Sequence, residues 1–204
     1  AVSEGRMGDP RLHARDRSTG RVRWSVYLPA IDDRLEQAAV RGPAIVHEGV
    51  VVVAARKFLR SRRTVSAYLV GLDAYTGDLR WVRVMGSIGS LPFANTAGAT
   101  ETAALRDGVI YRADALGVIT AIEAYSGRPV WVRRLGGQQR AGRGASTPWA
   151  TAGPVFDGDS RIVLSPDRSE VLRLDARTGE LLGRRGASAL GAPKYLLGIG
   201  DWLV

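Results

Sequence analysis

Side chains that commonly carry out chemistry are scarce in this sequence of 204 residues. It contains no cysteine, which excludes disulfides, thiolate zinc sites and cysteine nucleophiles. The only histidines, His13 and His47, have no second histidine or carboxylate at ligand spacing, so we expect structural roles for both. Asp157-Gly-Asp159 resembles the start of a calcium loop but lacks its later acidic ligands. Because nucleophile elbows and phosphate or dinucleotide glycine loops are also absent, we predict no catalytic, cofactor-binding or metal-binding residue.

Anion binding is the candidate chemistry that the sequence offers instead. The densest charge run, RKFLRSRRT at 56–64, contains no acid, and the connection 136–146 adds two arginines. Arginine forks suit carboxylate or phosphate groups. The candidate anion-binding or partner-binding residues are Arg56, Lys57, Arg60, Arg62, Arg63, Arg140 and Arg143. The alternative is a solvated hairpin tip that only keeps a protruding strand pair soluble.

The overall charge of +9 does not by itself indicate nucleic acid as a partner. Only two of the 29 basic residues, Lys57 and Lys194, are lysines, and many arginines stand singly along strands. Such a pattern is typical of a solvated surface or a coding bias, so we expect nucleic-acid binding least of all.

One hairpin that recurs four times supplies the framework for these residues. Each copy has an acid, a hydroxyl three residues later, a glycine four later and a tryptophan eight later. The copies are Asp16, Thr19, Gly20 and Trp24; Asp73, Thr76, Gly77 and Trp81; Glu123, Ser126, Gly127 and Trp131; and Asp175, Thr178 and Gly179, with Gly183 in place of the tryptophan.

Turn chemistry explains this pattern. The acid and the hydroxyl can accept hydrogen bonds from nearby backbone N–H groups, and the glycine supplies the positive φ that closes a short hairpin. Apolar residues alternate on both sides of the turn, as in strands with one buried face. We therefore predict that the acids have structural roles and that the tryptophans are buried between neighbouring sheets.

A second hairpin precedes three of the copies, with its turn glycine at Gly49, Gly108 and Gly158. The repeat unit is then four short antiparallel strands, and successive acids lie 57, 50 and 52 residues apart. This pattern predicts an all-β fold, a β-propeller of four-stranded antiparallel blades with about four repeats.

The strand, acid-x-x-hydroxyl-glycine and strand-with-tryptophan unit resembles the tryptophan-docking repeat of the pyrroloquinoline quinone (PQQ) dehydrogenases and PQQ-like propellers. An enzyme of that family would need calcium, a catalytic aspartate near the quinone and commonly a vicinal cysteine pair, which this chain lacks. The resemblance implies an extracytoplasmic protein, in the periplasm or cell envelope, although AVSEGRMGDP at the start is no signal peptide.

The repeats predict a single propeller segment over 1–204, divided into half-blades at both ends and three full blades between them. The boundaries are 11–28 for the first half-blade, 39–86, 94–136 and 146–185 for the full blades, and 194–204 for the last half-blade. Either the halves close a four-bladed ring or the chain is a segment of a seven- or eight-bladed propeller. We expect the segment, since the family forms large rings.

The predicted function is non-catalytic. We expect a protein-binding, sensor or scaffold module of a larger bacterial protein, with a partner that has an acidic segment. In a blade, the acid-hydroxyl-glycine turns emerge on one face, and the loop 56–64 and the connection 136–146 emerge on the other. The alternatives are a fragment of a PQQ-dependent oxidoreductase and a polyanion-binding module.

Overall fold

The computed structural model of this chain describes residues 2–4, 11–59, 64–89, 102–114, 117–135, 153–164, 169–190, 196, 198–199 and 202–203. Antiparallel strands dominate these residues, and the chain forms two compact units. The first unit comprises residues 1–91 and the turn 124–127, and the second comprises residues 92–123 and 128–204.

Two sheets make up the first unit. The first sheet has the order β1-β2-β3, and the second has the order β4-β6-β7-β8 with β5 also paired to β6. The strands are β1 (Val2–Glu4), β2 (Arg11–Arg15), β3 (Val22–Tyr27), β4 (Ala39–Val40), β5 (Ile45–His47), β6 (Val50–Leu59), β7 (Thr64–Asp73) and β8 (Leu79–Gly89). A short helix α1 (Leu28–Ile31) and a 3₁₀ turn (Asp33–Leu35) link the sheets.

The second unit has two four-stranded sheets and a two-stranded one. Their orders are β12-β11-β10-β9, β13-β14-β15-β16 and β17-β18. The strands are β9 (Ala103–Arg106), β10 (Val109–Ala113), β11 (Val118–Glu123), β12 (Pro129–Arg134), β13 (Val155–Asp157), β14 (Ser160–Leu164), β15 (Glu170–Asp175), β16 (Leu181–Gly186), β17 (Gly198–Ile199) and β18 (Trp202–Leu203). A 3₁₀ turn (Ala187–Leu190) follows β16.

The repeated turns have the predicted construction. Asp16 Oδ1 accepts hydrogen bonds from the backbone N–H groups of Ser18 and Thr19, both at 3.0 Å. Asp73 and Asp175 bind their own turns in the same way. Gly20 has a φ of 71°, and the turn glycines of the other copies have similar values. Since positive φ costs a glycine little, the motif folds the hairpin locally.

The predicted burial of the tryptophans is also confirmed. The exposed fractions of Trp24, Trp81 and Trp131 are 7%, 6% and 9%. Each indole N–H donates to a carbonyl in the turn of the next copy, at 3.0 Å to Ala74, 3.2 Å to Tyr125 and 2.8 Å to Ala176. Each hairpin is therefore anchored to the turn of the following repeat.

The sheets confirm an all-β fold of antiparallel blades with four-stranded sheets, and they add two strands that the sequence did not reveal. Ala39–Val40 pairs with β6 and makes the second sheet five-stranded. Val2–Glu4 pairs with β2, so the first sheet has three strands where we predicted two. A strand of three residues is too short to show a period-2 pattern, which is why it was missed.

Candidate functional site

The predicted basic face is only partly within the described residues. Arg60, Arg62, Arg63, Arg140 and Arg143 lie outside them. The structure corrects the placement of the other two predicted residues, because Arg56 and Lys57 lie within β6 instead of in the connecting loop.

Arg56 and Lys57 are buried, with exposed fractions of 4% and 7%. Arg56 pairs with Ala39 of β4 on one side and with Ala67 of β7 on the other, and Lys57 pairs with Ser66 of β7. A basic run therefore does not mark a loop here, because strand pairing continues through it as far as Leu59. Neither side chain presents an open surface to a large anionic partner.

The hairpin that carries the basic run is unusually long. β6 and β7 pair over ten positions, from Val50 with Asp73 to Leu59 with Thr64, whereas β10 and β11 pair over five, from Val109 with Glu123 to Ala113 with Ile119. Five additional residues extend a strand by about 16 Å. Near its end Phe58 is 45% exposed, so the hairpin combines an apolar side chain with the basic connection 60–63.

The repeat acids are held as ion pairs and turn acceptors. Arg23 pairs with Asp16 and Arg80 pairs with Asp73, both at 2.7 Å, and Arg128 pairs with Glu123. Hydrogen bonds from Arg80 and from the turn lower the pKa of Asp73 to about 2. The hydrogen bonds of Ser18, Thr19 and Arg23 lower the pKa of Asp16 as well. Such carboxylates are poor general acids or bases near neutral pH.

The side chains that were considered as metal ligands and set aside, those of Asp157, Asp159 and His47, form no metal-binding group in the described part of the chain. Asp157 forms an ion pair with Arg173 at 3.2 Å, and Asp159 contributes its backbone carbonyl to Ala176 N–H. His47 lies 3.7 Å from Glu48. Within the described ranges, no three His, Cys, Asp or Glu side chains are grouped as a metal ion would require.

An arginine-aromatic cluster in the second unit was not predicted. Arg161 of β14 is 1% exposed, and its guanidinium lies over the ring of Tyr111 and 4.0 Å from the centroid of Phe156. Arg106 lies 5.1 Å from the centroid of the same Phe156 ring. Burial lowers the pKa of Arg161 to about 10. In the sequence Arg161 looked like one more polar residue of an alternating strand, so nothing signalled its burial.

The turns of the first unit carry two exposed tyrosines that sequence reasoning also missed. Tyr75 is 76% exposed and Tyr125 is 57% exposed. Each stands two residues after the repeat acid, a position held by Ser18 and Arg177 in the other copies. The available signal was the shared position itself, since a tyrosine recurs two residues after the acid in two of the four turns.

Other features offer less chemistry. A surface depression is lined by residues 30–34, where Arg34 and Asp32 pair with each other at 2.7 Å. Over the described ranges, no helix has the length and apolar character needed to cross a membrane.

Comparison with known proteins identifies the repeat. A family model described as outer membrane protein assembly factor BamB matches residues 2–203. The chain is 24% identical over 199 residues to the tetrathionate hydrolase of Acidithiobacillus ferrooxidans. The aligned region covers 96% of this chain but 38% of that protein.

Solved structures show the same fold. BamB from Moraxella catarrhalis is 23% identical with a TM-score of 0.57, over 87% of this chain and 47% of that one. The quinohemoprotein alcohol dehydrogenase of Pseudomonas putida is 22% identical with a TM-score of 0.55, over 87% of this chain and 32% of that one. The chain thus spans less than half the length of each of these relatives.

Proposed function

Because this chain belongs to the family of the outer membrane protein assembly factor BamB, we propose that it is a non-catalytic, PQQ-like propeller module that binds a protein. It serves as a scaffold or sensor region of a larger bacterial protein in the cell envelope. The partner presents an acidic segment to the long β6–β7 hairpin.

The length of this hairpin is the observation that supports the proposal. β6 and β7 pair over ten positions, whereas β10 and β11 pair over five. Exposed loops on a rigid scaffold are the usual place for binding residues. Phe58 is exposed near the end of β6, and the arginines of the connection 60–63 follow it in the sequence. Aromatic and arginine side chains supply most of the binding energy in many protein interfaces.

The electrostatics favour an acidic partner. The connection contains Arg60, Arg62 and Arg63 and no acid. Two parallel N–H···O hydrogen bonds from each guanidinium can hold a carboxylate. Arg140 and Arg143 of the connection 136–146 stay part of the same proposal.

The turn chemistry supports a non-catalytic role over the oxidoreductase alternative. The repeat acids Asp16, Asp73 and Asp175 all accept hydrogen bonds from their own turns. A quinone enzyme needs carboxylates that are available to a calcium ion and to the substrate. The relatives with enzyme names are much longer, and this chain covers 38% of the hydrolase and 32% of the dehydrogenase.

A charge-matched pair of variants tests the proposal. The triple variant Arg60→Ser, Arg62→Ser, Arg63→Ser removes the arginines of the connection, and the control Arg17→Ser, Arg21→Ser, Arg177→Ser removes three exposed arginines elsewhere. Binding of a blocked tetra-glutamate peptide is measured from about 50 to about 300 mM salt, a range over which ionic contacts weaken strongly. We expect the first variant to lose most of the salt-sensitive affinity and the control to keep it. Equal loss in both variants would show a general charge effect and contradict the proposal.

A further inference from the structure

Tyr75 and Tyr125 are presented on rigid turns. The backbone carbonyl of Ala74, next to Tyr75, accepts a hydrogen bond from the indole N–H of Trp24. The backbone carbonyl of Tyr125 accepts one from the indole N–H of Trp81. Arg83 Nε also donates to the Gly127 carbonyl at 2.7 Å. Because hydrogen bonds to the turn carbonyls hold the backbone in place, the exposed tyrosine side chains lose little conformational entropy when they bind a partner.

The ring of Tyr125 already has a cation over it. The guanidinium carbon of Arg80 lies 5.1 Å from the ring centroid, and the same guanidinium binds Asp73 at 2.7 Å. This distance is within the range of a cation–π interaction. The repeat therefore shows what a tyrosine at this position can bind.

Within the described ranges, the ring of Tyr75 lacks this cation. The arginine that corresponds to Arg80 is Arg23, which also precedes a tryptophan and also pairs with the acid of its own turn, Asp16, at 2.7 Å. Among the described residues no arginine or lysine lies over Tyr75. Its ring instead contacts Gly49, where a Cβ atom would be 3.4 Å from Cε2.

Two carboxylates lie in the turns around Tyr75. The Ala74 N–H donates to the Gly49 carbonyl at 2.8 Å and thus joins the turn of Tyr75 to the turn of Glu48. The Glu48 side chain is 72% exposed, and among the residues that the structure describes its only basic neighbour is His47, at 3.7 Å. Asp78 accepts the Thr76 hydroxyl at 2.7 Å and has no arginine or lysine partner in the described part of the chain. We call Glu48, Tyr75 and Asp78 the Tyr75 patch.

We propose that the Tyr75 patch binds an arginine or lysine side chain of a partner protein. The exposed ring supplies a cation–π surface, and the two carboxylates supply charge complementarity. Charges beyond roughly 10 Å are screened at about 0.1 M salt, so the local acids dominate over the net charge of +9. This inference rests on the proposed function, because it assigns a second contact to the same protein-binding role.

The test is an NMR titration of the full chain labelled with ¹³Cε-tyrosine. Blocked tetra-arginine peptide is added, and blocked tetra-glutamate peptide is added separately. We expect a saturable shift of the Tyr75 resonance with tetra-arginine, and a much smaller shift of Tyr125, whose ring already has Arg80 over it. Tyr75→Phe keeps the ring and should bind equally, whereas Tyr75→Ser should weaken binding about 2- to 5-fold.

A second variant tests the comparison between the two tyrosines. Arg80→Gln removes the cation over Tyr125, so tetra-arginine should now shift the Tyr125 resonance as well. Equal shifts of all exposed tyrosines, or no shift of Tyr75, would overturn the inference. A Tyr75 shift that depends on protein concentration without peptide would identify a second copy of the chain as the occupant and also overturn it.

The tetra-glutamate arm separates this inference from the proposed function. If tetra-glutamate binds through the connection 60–63 and tetra-arginine does not bind at Tyr75, only the inference fails. If neither peptide binds, both fail.

Discussion

The indole N–H of Trp131 donates a hydrogen bond to the carbonyl oxygen of Ala176, 45 residues further along the chain, at 2.8 Å. The same ring covers Gly179, where a Cβ atom would lie 2.6 Å from it. One side chain thus provides both the packing and the polar contact between successive repeats. In a repeat protein, such neighbour contacts carry much of the stability.

Trp131→Ala should lower the free energy of unfolding by about 3–5 kcal/mol, because a buried aromatic side chain is lost. Trp131→Phe should cost less, since it keeps most of the buried area and loses the hydrogen bond. Val132→Ala, at a position 58% exposed, is the control and should change stability by less than about 0.5 kcal/mol. Chemical denaturation measures all three, and a Trp131→Ala midpoint close to that of wild type would refute the anchoring role.

Alanine substitutions at two glycines, Gly20 and Gly179, distinguish the free-energy cost of a positive φ from the cost of a steric clash with an indole ring. Gly179 (φ 73°) lies under Trp131, whereas at Gly20 (φ 71°) an added Cβ atom would have nothing within 4 Å. Gly20→Ala should therefore cost only the backbone strain, about 1–2 kcal/mol. Gly179→Ala should cost clearly more, because the indole must move. Similar melting temperatures for the two variants would show that the indole does not constrain the turn.

The turn and its tryptophan were predictable from sequence because each depends on local chemistry repeated at a fixed spacing. Asp73, Gly77 and Trp81 fall where the pattern placed them. The identity of the tryptophan's acceptor was not predictable. Trp24 donates to Ala74 and Trp81 donates to Tyr125, which are different positions of equivalent turns, and this choice depends on how the hairpins pack.

Arg161→Met should leave the protein as stable as wild type or stabilise it by up to about 3 kcal/mol. The Arg161 guanidinium is buried, and its three nitrogen atoms have no hydrogen-bond partner among the described residues. Replacing a poorly compensated buried charge with an apolar side chain of similar length removes a desolvation cost. Arg133→Met is the control and should destabilise by about 1 kcal/mol, since Arg133 donates to the Gly179 carbonyl at 3.0 Å. A loss above about 1 kcal/mol for Arg161→Met would show that its ring contacts outweigh burial.

Asp73 should make the free energy of unfolding depend on pH in the acidic range. Hydrogen bonds from Arg80 and the turn lower its pKa to about 2, below the unfolded value of about 3.9. A lowered folded-state pKa stabilises the protein above the unfolded pKa, and this contribution is lost as the pH falls through the folded pKa. Asp73→Asn should therefore be less stable than wild type at about pH 7, with a gap that narrows below about pH 4 and closes near pH 2. A gap that stays constant from about pH 7 to about pH 2.5 in urea denaturation would contradict this.

The basic hairpin shows where sequence reasoning fails. Arg56 and Lys57 belong to the same charge run as Arg60, yet strand pairing buries both. A long arginine or lysine stem can lie along apolar surface, so charge alone does not mark the end of a strand. Tyr75 was missed because a tyrosine in a sequence does not by itself indicate exposure, and the structure shows that the residue is 76% exposed.

We expect no stoichiometric binding of PQQ or calcium by this chain. Calcium requires about six to eight oxygen ligands, and the repeat carboxylates are already engaged, as Asp16 is with Arg23 and Asp73 is with Arg80. Asp157, the first residue of the loop that resembles a calcium site, is paired with Arg173 at 3.2 Å. Calorimetric titration with calcium, followed by quinone absorbance with calcium present, should give flat responses. A saturable one-to-one response with either ligand would favour the oxidoreductase alternative, and its loss in Asp157→Asn but not in Asp107→Asn would locate the site at that loop.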